Sequence, residues 1–191
     1  MITLESVIFV DRMEQNIQIH DKSFKLFIPA EYIQEEVEAI AEKLMVDYSG
    51  KNPIFLVVLN GAFMFAADLL KHYTDTCDIT FTKLSSYVGT ISSGIVTRQM
   101  EISIDVTNRH IIIIEDIVDT GLTIQALKSN LQELNPSSVE VCTLLFKPEA
   151  FKSNDAPKYQ GFVIPNKFVL GYGLDYDERG RNLKDLYQLK E

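Results

Sequence analysis

The stretch that decides the fold is HIIIIEDIVDTGLT, residues 110–123. His110–Ile114 is a short, continuous run of branched apolar residues, the composition of a parallel strand buried on both faces. Two acids, Glu115 and Asp116, end that run, and Asp119, Thr120, Gly121 and Thr123 open directly into a helix, Gly121–Leu134, with Leu122, Ala126, Leu127 and Leu131 apolar. Asn135-Pro136 stops the helix and Val139–Phe146 reads as the next strand. Upstream the same alternation is present: helix Glu31–Tyr48 with Ile33, Val37, Ile40, Ala41 and Leu44 on one face, strand Ile54–Leu59, helix Ala62–Tyr73 and strand Cys77–Leu84. Ser85–Gln99 is rich in Ser, Thr and Gly and is predicted to be a mobile loop. Strand–helix–strand alternation with short connections gives an α/β fold with a mostly parallel central sheet flanked by helices. The tail from Lys147 holds only short strand-like pieces, Gly161–Ile164 and Phe168–Gly171, expected to join N-terminal residues over the sheet edge as a small hood. No linker or repeat divides the chain, so residues 1–191 are expected to form a single domain.

Ligands of open α/β sheets bind outside the carboxyl ends of the strands. A loop entering a helix there offers unpaired N–H groups and the positive end of the helix dipole, which together seat a phosphate. Gly121 allows close backbone approach, and the hydroxyls of Thr120 and Thr123 can donate further hydrogen bonds. Acids beside such a seat make sense if the ligand also carries sugar hydroxyls, which carboxylates accept from strongly. The bland alternative is that Glu115 and Asp116 merely end a strand and Asp119 caps a helix. No G-x-x-x-x-G-K-[ST] occurs, and the single Gly121 cannot make a G-x-G-x-x-G turn.

A net charge of −9 argues against a broad nucleic-acid footprint, which needs clustered Lys and Arg. It leaves room for a small anion, because backbone dipoles and a bound cation can reverse the field in one pocket. The two cysteines, Cys77 and Cys142, lack metal-ligand spacing, and Cys142 in its apolar run reads as a reduced, buried thiol. His20, His72 and His110 share no metal spacing and read as structural. The start of the sequence is acidic, at Glu5, Asp11 and Glu14, unlike a signal peptide, and no apolar run is long enough to span a membrane. The expected compartment is the cytoplasm.

HIIIIEDIVDTGLT resembles the phosphoribosyl-pyrophosphate signature of type I phosphoribosyltransferases, in their hypoxanthine-guanine branch. The segments VVLNGAFMFAADLL (57–70), KLSSYVGTISSG (83–94), LLFKP (144–148) and IPNKFVLGYGLDYDERGRNL (164–183) are similar to that branch in the same order. The resemblance implies a Mg2+-dependent transfer of phosphoribosyl from phosphoribosyl pyrophosphate to a 6-oxopurine, by a homodimer or homotetramer. It implies that Glu115 and Asp116 accept the ribose hydroxyls beside the magnesium. Asp119 is then the general acid/base, and Asp119, Thr120, Gly121, Leu122 and Thr123 hold the 5′-phosphate. Lys147 donates to the 6-oxo group, Phe168 stacks on the purine and Val169 offers its backbone. Asp175 lies by the purine and binds a magnesium, Arg181 contacts pyrophosphate, and Ser86 and Tyr87 close over the reacting centre. In the loop after the first long strand, Asn60 stands where the family usually has Lys, followed by Gly61; backbone contact with pyrophosphate should survive there. Two rival readings are a xanthine-preferring transferase and a non-catalytic, nucleotide-responsive regulator of the same fold. Apart from the resemblance, Lys147 could be a surface lysine, Phe168 and Val169 core, and Asp175, Asp177 and Glu178 a solvated acidic turn.

Overall fold

The computed structural model describes residues 16–86, 96–98, 102 and 104–190. In chain order, β1 (Asn16–Ile19) and β2 (Lys22–Ile28) lead to helix α1 (Ala30–Tyr48). There follow β3 (Ile54–Leu59), α2 (Phe63–His72), β4 (Asp78–Ser86), β5 (Val96–Arg98), β6 (His110–Val118), α3 (Leu122–Gln132), β7 (Ser138–Phe146) and β8 (Tyr159–Val163). The last two strands are β9 (Val169–Leu170) and β10 (Leu186–Leu189). Two compact units result: Glu36–Asn166, and Met1–Glu35 with Lys167–Glu191.

The larger unit is a six-stranded sheet in the order β5-β4-β3-β6-β7-β8, parallel throughout except for the β4–β5 pair. Its central strands are apolar on both faces because both are covered: Ile54 to Val57 and Ile111 to Ile114 are almost wholly buried. Cys142 is buried as expected. Burial of its thiol pushes its pKa well up.

Three readings of the sequence need correction. β6 does not stop at Ile114. It runs through Glu115 and Asp116 to Val118, because Ile117 and Val118 continue the ladder against Leu145 and Phe146 of β7. The acids therefore sit inside a strand. Helix α3 starts at Leu122, and its buried stripe is Ile124, Leu127 and Leu131, while Leu122 is 56% exposed. Those three positions follow the i, i+3, i+7 spacing of one helix face, from which Leu122 points away. Ser85–Gln99 is not wholly loop: Ser85 and Ser86 extend β4, and Val96–Arg98 pairs with it antiparallel. Tyr87 lies outside the described residues.

The smaller unit is the antiparallel sheet β1-β2-β10-β9, made of N- and C-terminal segments as the hood expectation required. Phe24, Leu26, Leu170 and Tyr187 form its core. The chain between β9 and β10 is a series of tight turns, with positive φ at Gly171, Tyr172, Gly173, Asp177, Glu178 and Gly180.

Candidate active site

In the larger unit β3, β6 and β7 are neighbours and run parallel, so their carboxyl ends lie along one edge. Three groups of residues leave that edge: Asn60 and Gly61 after β3, Asp119 to Gly121 after β6, and Lys147 after β7. The β6–β7 register pairs Val118 with Phe146, so the next residues, Asp119 and Lys147, emerge side by side. Their side chains meet, with Lys147 Nζ donating to Asp119 Oδ2 at 3.2 Å. The Lys147 side chain is only 8% exposed, while that of Asp119 is 45% exposed. A buried ammonium needs a counter-charge, and Asp119 supplies it. Lys147 is thus no surface lysine. Its backbone N–H also donates to Val118 O at 3.0 Å, which ties the ends of β6 and β7 together.

The turn from β6 into α3 passes through Gly121, whose φ of +78 is left-handed and suits glycine. Gly121 is the N-cap residue and no side chain caps the helix, so Asp119 does not act as a helix cap. The first helical bond runs from Gln125 N to Gly121 O at 2.9 Å. The N–H groups of Leu122, Thr123 and Ile124 precede it, as at any helix start. The Thr120 hydroxyl is 3.5 Å from Leu122 N, a weak contact. This is the geometry of an anion seat.

Gly61 approaches the second acid closely. A Cβ built on it would lie 1.6 Å from Asp116 Oδ2 and 2.5 Å from its Cγ, so the Asp116 carboxylate occupies the space that any other residue would need. Asp116 also accepts from the Ile117 N–H at 2.8 Å. Glu115 is buried, and that burial, together with the charge of Asp116, raises its pKa well above the ordinary carboxylate range. The peptide between Leu59 and Asn60 is cis.

In the smaller unit, Phe168 is 43% exposed, beside Phe24 and Tyr176 at centroid distances of 6.2 and 5.9 Å. Val169 is buried in β9. Asp175 and Arg181 pair at 2.7 Å. Arg181 Nη1 donates to Gly173 O at 2.8 Å, and Asp175 Oδ2 accepts from Glu178 N at 2.7 Å. Asp175 is therefore built into its turn, whereas Asp177 and Glu178 form its exposed tip. Tyr172 is buried.

Two of the histidines make contacts that suit a structural role. His110 Nδ1 is 2.8 Å from Ser138 Oγ and its ring meets Tyr48 edge-on, and His20 meets Tyr176 in the same way. No group of three His, Cys, Asp or Glu among the described residues is placed to hold a metal unaided. Ser86 belongs to β4.

Two features escaped the sequence reading. The Lys147–Asp119 pair links residues 28 apart and depends on strand register; aligning the two strand runs at their carboxyl ends could have suggested it. The Gly61–Asp116 approach had no such signal.

A helix N-terminus, carboxylates and a buried lysine gathered at the carboxyl edge of a parallel sheet are the parts of a site for a phosphorylated ligand. Residues 29–177 match the phosphoribosyl transferase domain, and the chain belongs to the phosphoribosyltransferase family. Within it the chain is 42% identical to the hypoxanthine-guanine phosphoribosyltransferase of Lactococcus lactis, over 93% of this chain and 96% of that one. It is 41% identical to the hypoxanthine-guanine-xanthine phosphoribosyltransferase of Tritrichomonas foetus, over 83% and 87%. A crystal structure of a hypoxanthine phosphoribosyltransferase from Staphylococcus aureus superposes with a TM-score of 0.83 at 34% identity, covering 98% of this chain and 97% of that one.

Gly61→Ala tests the close approach at Asp116. Gly61 has no left-handed φ to lose, so the cost comes from displacing the carboxylate, and overpacking of this kind costs about 1–3 kcal/mol. Urea unfolding should show that loss, and an unchanged midpoint would mean the loop yields freely.

Proposed function

We propose that this chain, acting as one phosphoribosyltransferase domain, transfers the 5-phosphoribosyl group from phosphoribosyl pyrophosphate to hypoxanthine, and also to guanine. The products are IMP or GMP and pyrophosphate, and the setting is purine salvage in the cytoplasm. The observation that carries this reading is the Lys147–Asp119 pair beside the N-terminus of α3. A lysine ammonium has donors and no acceptor, so it suits a 6-oxo group and opposes the amino group of adenine. Asp119, the more exposed partner, is free to turn toward a ring nitrogen and manage its proton. Thr120 to Thr123 take the 5′-phosphate on backbone N–H groups and hydroxyls.

The remaining roles follow the family resemblance. Glu115 and Asp116 accept ribose hydroxyls, and Asn60 and Gly61 offer backbone to pyrophosphate. Arg181 contacts pyrophosphate, Phe168 stacks on the base, Val169 offers its backbone, and Ser86 and Tyr87 cover the reacting centre. Glu115, Asp116 and Asp175 are hard oxygen donors; the charge of Asp116 bears on Glu115, and Asp116 lies against Gly61. Glu115 and Asp116 in the larger unit, and Asp175 in the smaller, are each the donor type that suits Mg2+, which takes one or two protein carboxylates and completes its shell with substrate phosphates and water. When bound, that ion offsets the charge developing on the leaving pyrophosphate. Assembly into dimers or tetramers is part of the same reading. The half-exposed Ile79 and Phe81 of β4, a strand that turns Thr80 and Thr82 inward, offer apolar surface for it. The name of the Tritrichomonas foetus relative keeps xanthine as a second candidate base. The regulator reading is disfavoured, because the relatives matched over most of their length are named as phosphoribosyltransferases.

Asp119→Asn is the test of the mechanism. General acid/base groups contribute a factor of about 10² to 10⁴, so the turnover number with hypoxanthine should fall within that range while substrate binding changes less. Turnover near wild type would remove the acid/base role. Chelation provides a separate test: activity should vanish with excess EDTA and return with magnesium, and full turnover after chelation would rule out the metal.

A further inference from the structure

We propose that Phe151 is a positioning residue for the phosphate seat: its ring, packed against Gly121, holds the first N–H groups of α3 in an anion-binding arrangement. The proposal rests on the reading of residues 119–123 as that seat. Gly121 is left-handed and α3 has no side-chain cap, so local hydrogen bonding does little to fix this turn. What fixes it comes from the segment after β7. A Cβ on Gly121 would stand 2.3 Å from Phe151 Cε2 and 2.9 Å from its Cδ2, which puts the ring directly on the bare Cα. The ring is anchored edge-on to Phe146, the last residue of β7, with centroids 5.2 Å apart and planes at 77°.

The backbone on both sides of Phe151 is tied to the same turn. Lys147 N–H donates to Val118 O at 3.0 Å and Lys152 N–H donates to Thr120 O at 3.1 Å. Residues 147–152 thus form a strap with a hydrogen bond at each end and an aromatic ring between them. The ring also lines a cleft of about 130 Å³ with Val118, Ile124 and Lys128. Gly121 already lines that cleft, so a smaller side chain at 151 would widen it beside the turn and leave the turn room to shift. Binding groups must be held to within a fraction of an ångström, so a loosened turn binds phosphate poorly even when every phosphate-contacting residue is intact.

The strap also carries Lys147 at its start, but the ring itself sits on Gly121 and against Phe146. Loss of the ring should therefore act on the phosphate substrate and spare the base. Two readouts test this in Phe151→Ala and Phe151→Leu, with Phe151→Tyr as the ring-preserving control. In Phe151→Ala, hydrogen exchange over 119–125 should quicken roughly tenfold while β4, two strands from β6, is unchanged. The KM for phosphoribosyl pyrophosphate should rise roughly tenfold, with a smaller change in kcat and little change in the KM for hypoxanthine. Leu should fall between Ala and wild type, and Tyr should restore both readouts. Exchange over 119–125 equal to wild type, or quickened equally throughout the unit, overturns the proposal. Wild-type protein that fails to turn over phosphoribosyl pyrophosphate sinks the phosphate-seat reading and this proposal with it. An active wild type with an unmoved turn sinks this proposal alone.

Discussion

The register between β6 and β7 is the constraint on which the site depends. Val118 stands opposite Phe146, and the ladder is continuous from His110 and Ser138 upward except at Asp116. Because both strands are buried along most of their length, a slip of one residue would move every side chain to the other face. The core therefore holds the register. The register in turn puts Asp119 beside Lys147, and the low exposure of Lys147 makes their contact a requirement for burying the ammonium. Apolar packing far from the edge thus sets the geometry of the two groups proposed to read the base and move its proton.

The same edge explains how a chain of net charge −9 could bind a heavily charged anion. In the proposed site neutral backbone would contribute much of the attraction, through the start of α3 and the turn at Gly61, where a Cβ would require the Asp116 carboxylate to move. Both cations assigned to substrate are already paired within their own unit, Lys147 with Asp119 and Arg181 with Asp175. In the proposed reaction each would exchange a carboxylate for a substrate oxygen. The carboxylates so released are those assigned to the base's proton and to magnesium. Resting pairs of this kind keep the cations oriented and limit the desolvation cost of each exchange.

Much of this was legible in the sequence. The branched runs, the acid pair, D-T-G-L-T and the order of segments led to the sheet, the helix entry and the family. What stayed hidden depended on partners distant in the chain. Ile117 and Val118 belong to β6 only because Leu145 and Phe146 continue beside them. Ser85 and Ser86 have polar, loop-like composition, yet they pair with Thr97 and Val96. Leu122 looked like a core residue of α3, but the helix begins there, and its buried stripe starts at Ile124. Phe151, in a polar stretch after Pro148, gave no periodic signal; its role appears only when its ring is found on Gly121. Local pattern identified the elements and the chemical groups, and tertiary pairing determined which groups meet.

The most direct measurement is steady-state turnover of the purified protein with phosphoribosyl pyrophosphate, magnesium and, in separate assays, hypoxanthine, guanine, xanthine and adenine. The buried Lys147, as the proposed donor to the base, predicts turnover of hypoxanthine and guanine and rejection of adenine, whose amino group would face a donor. Efficient use of adenine, or no turnover with any 6-oxopurine, would contradict the account.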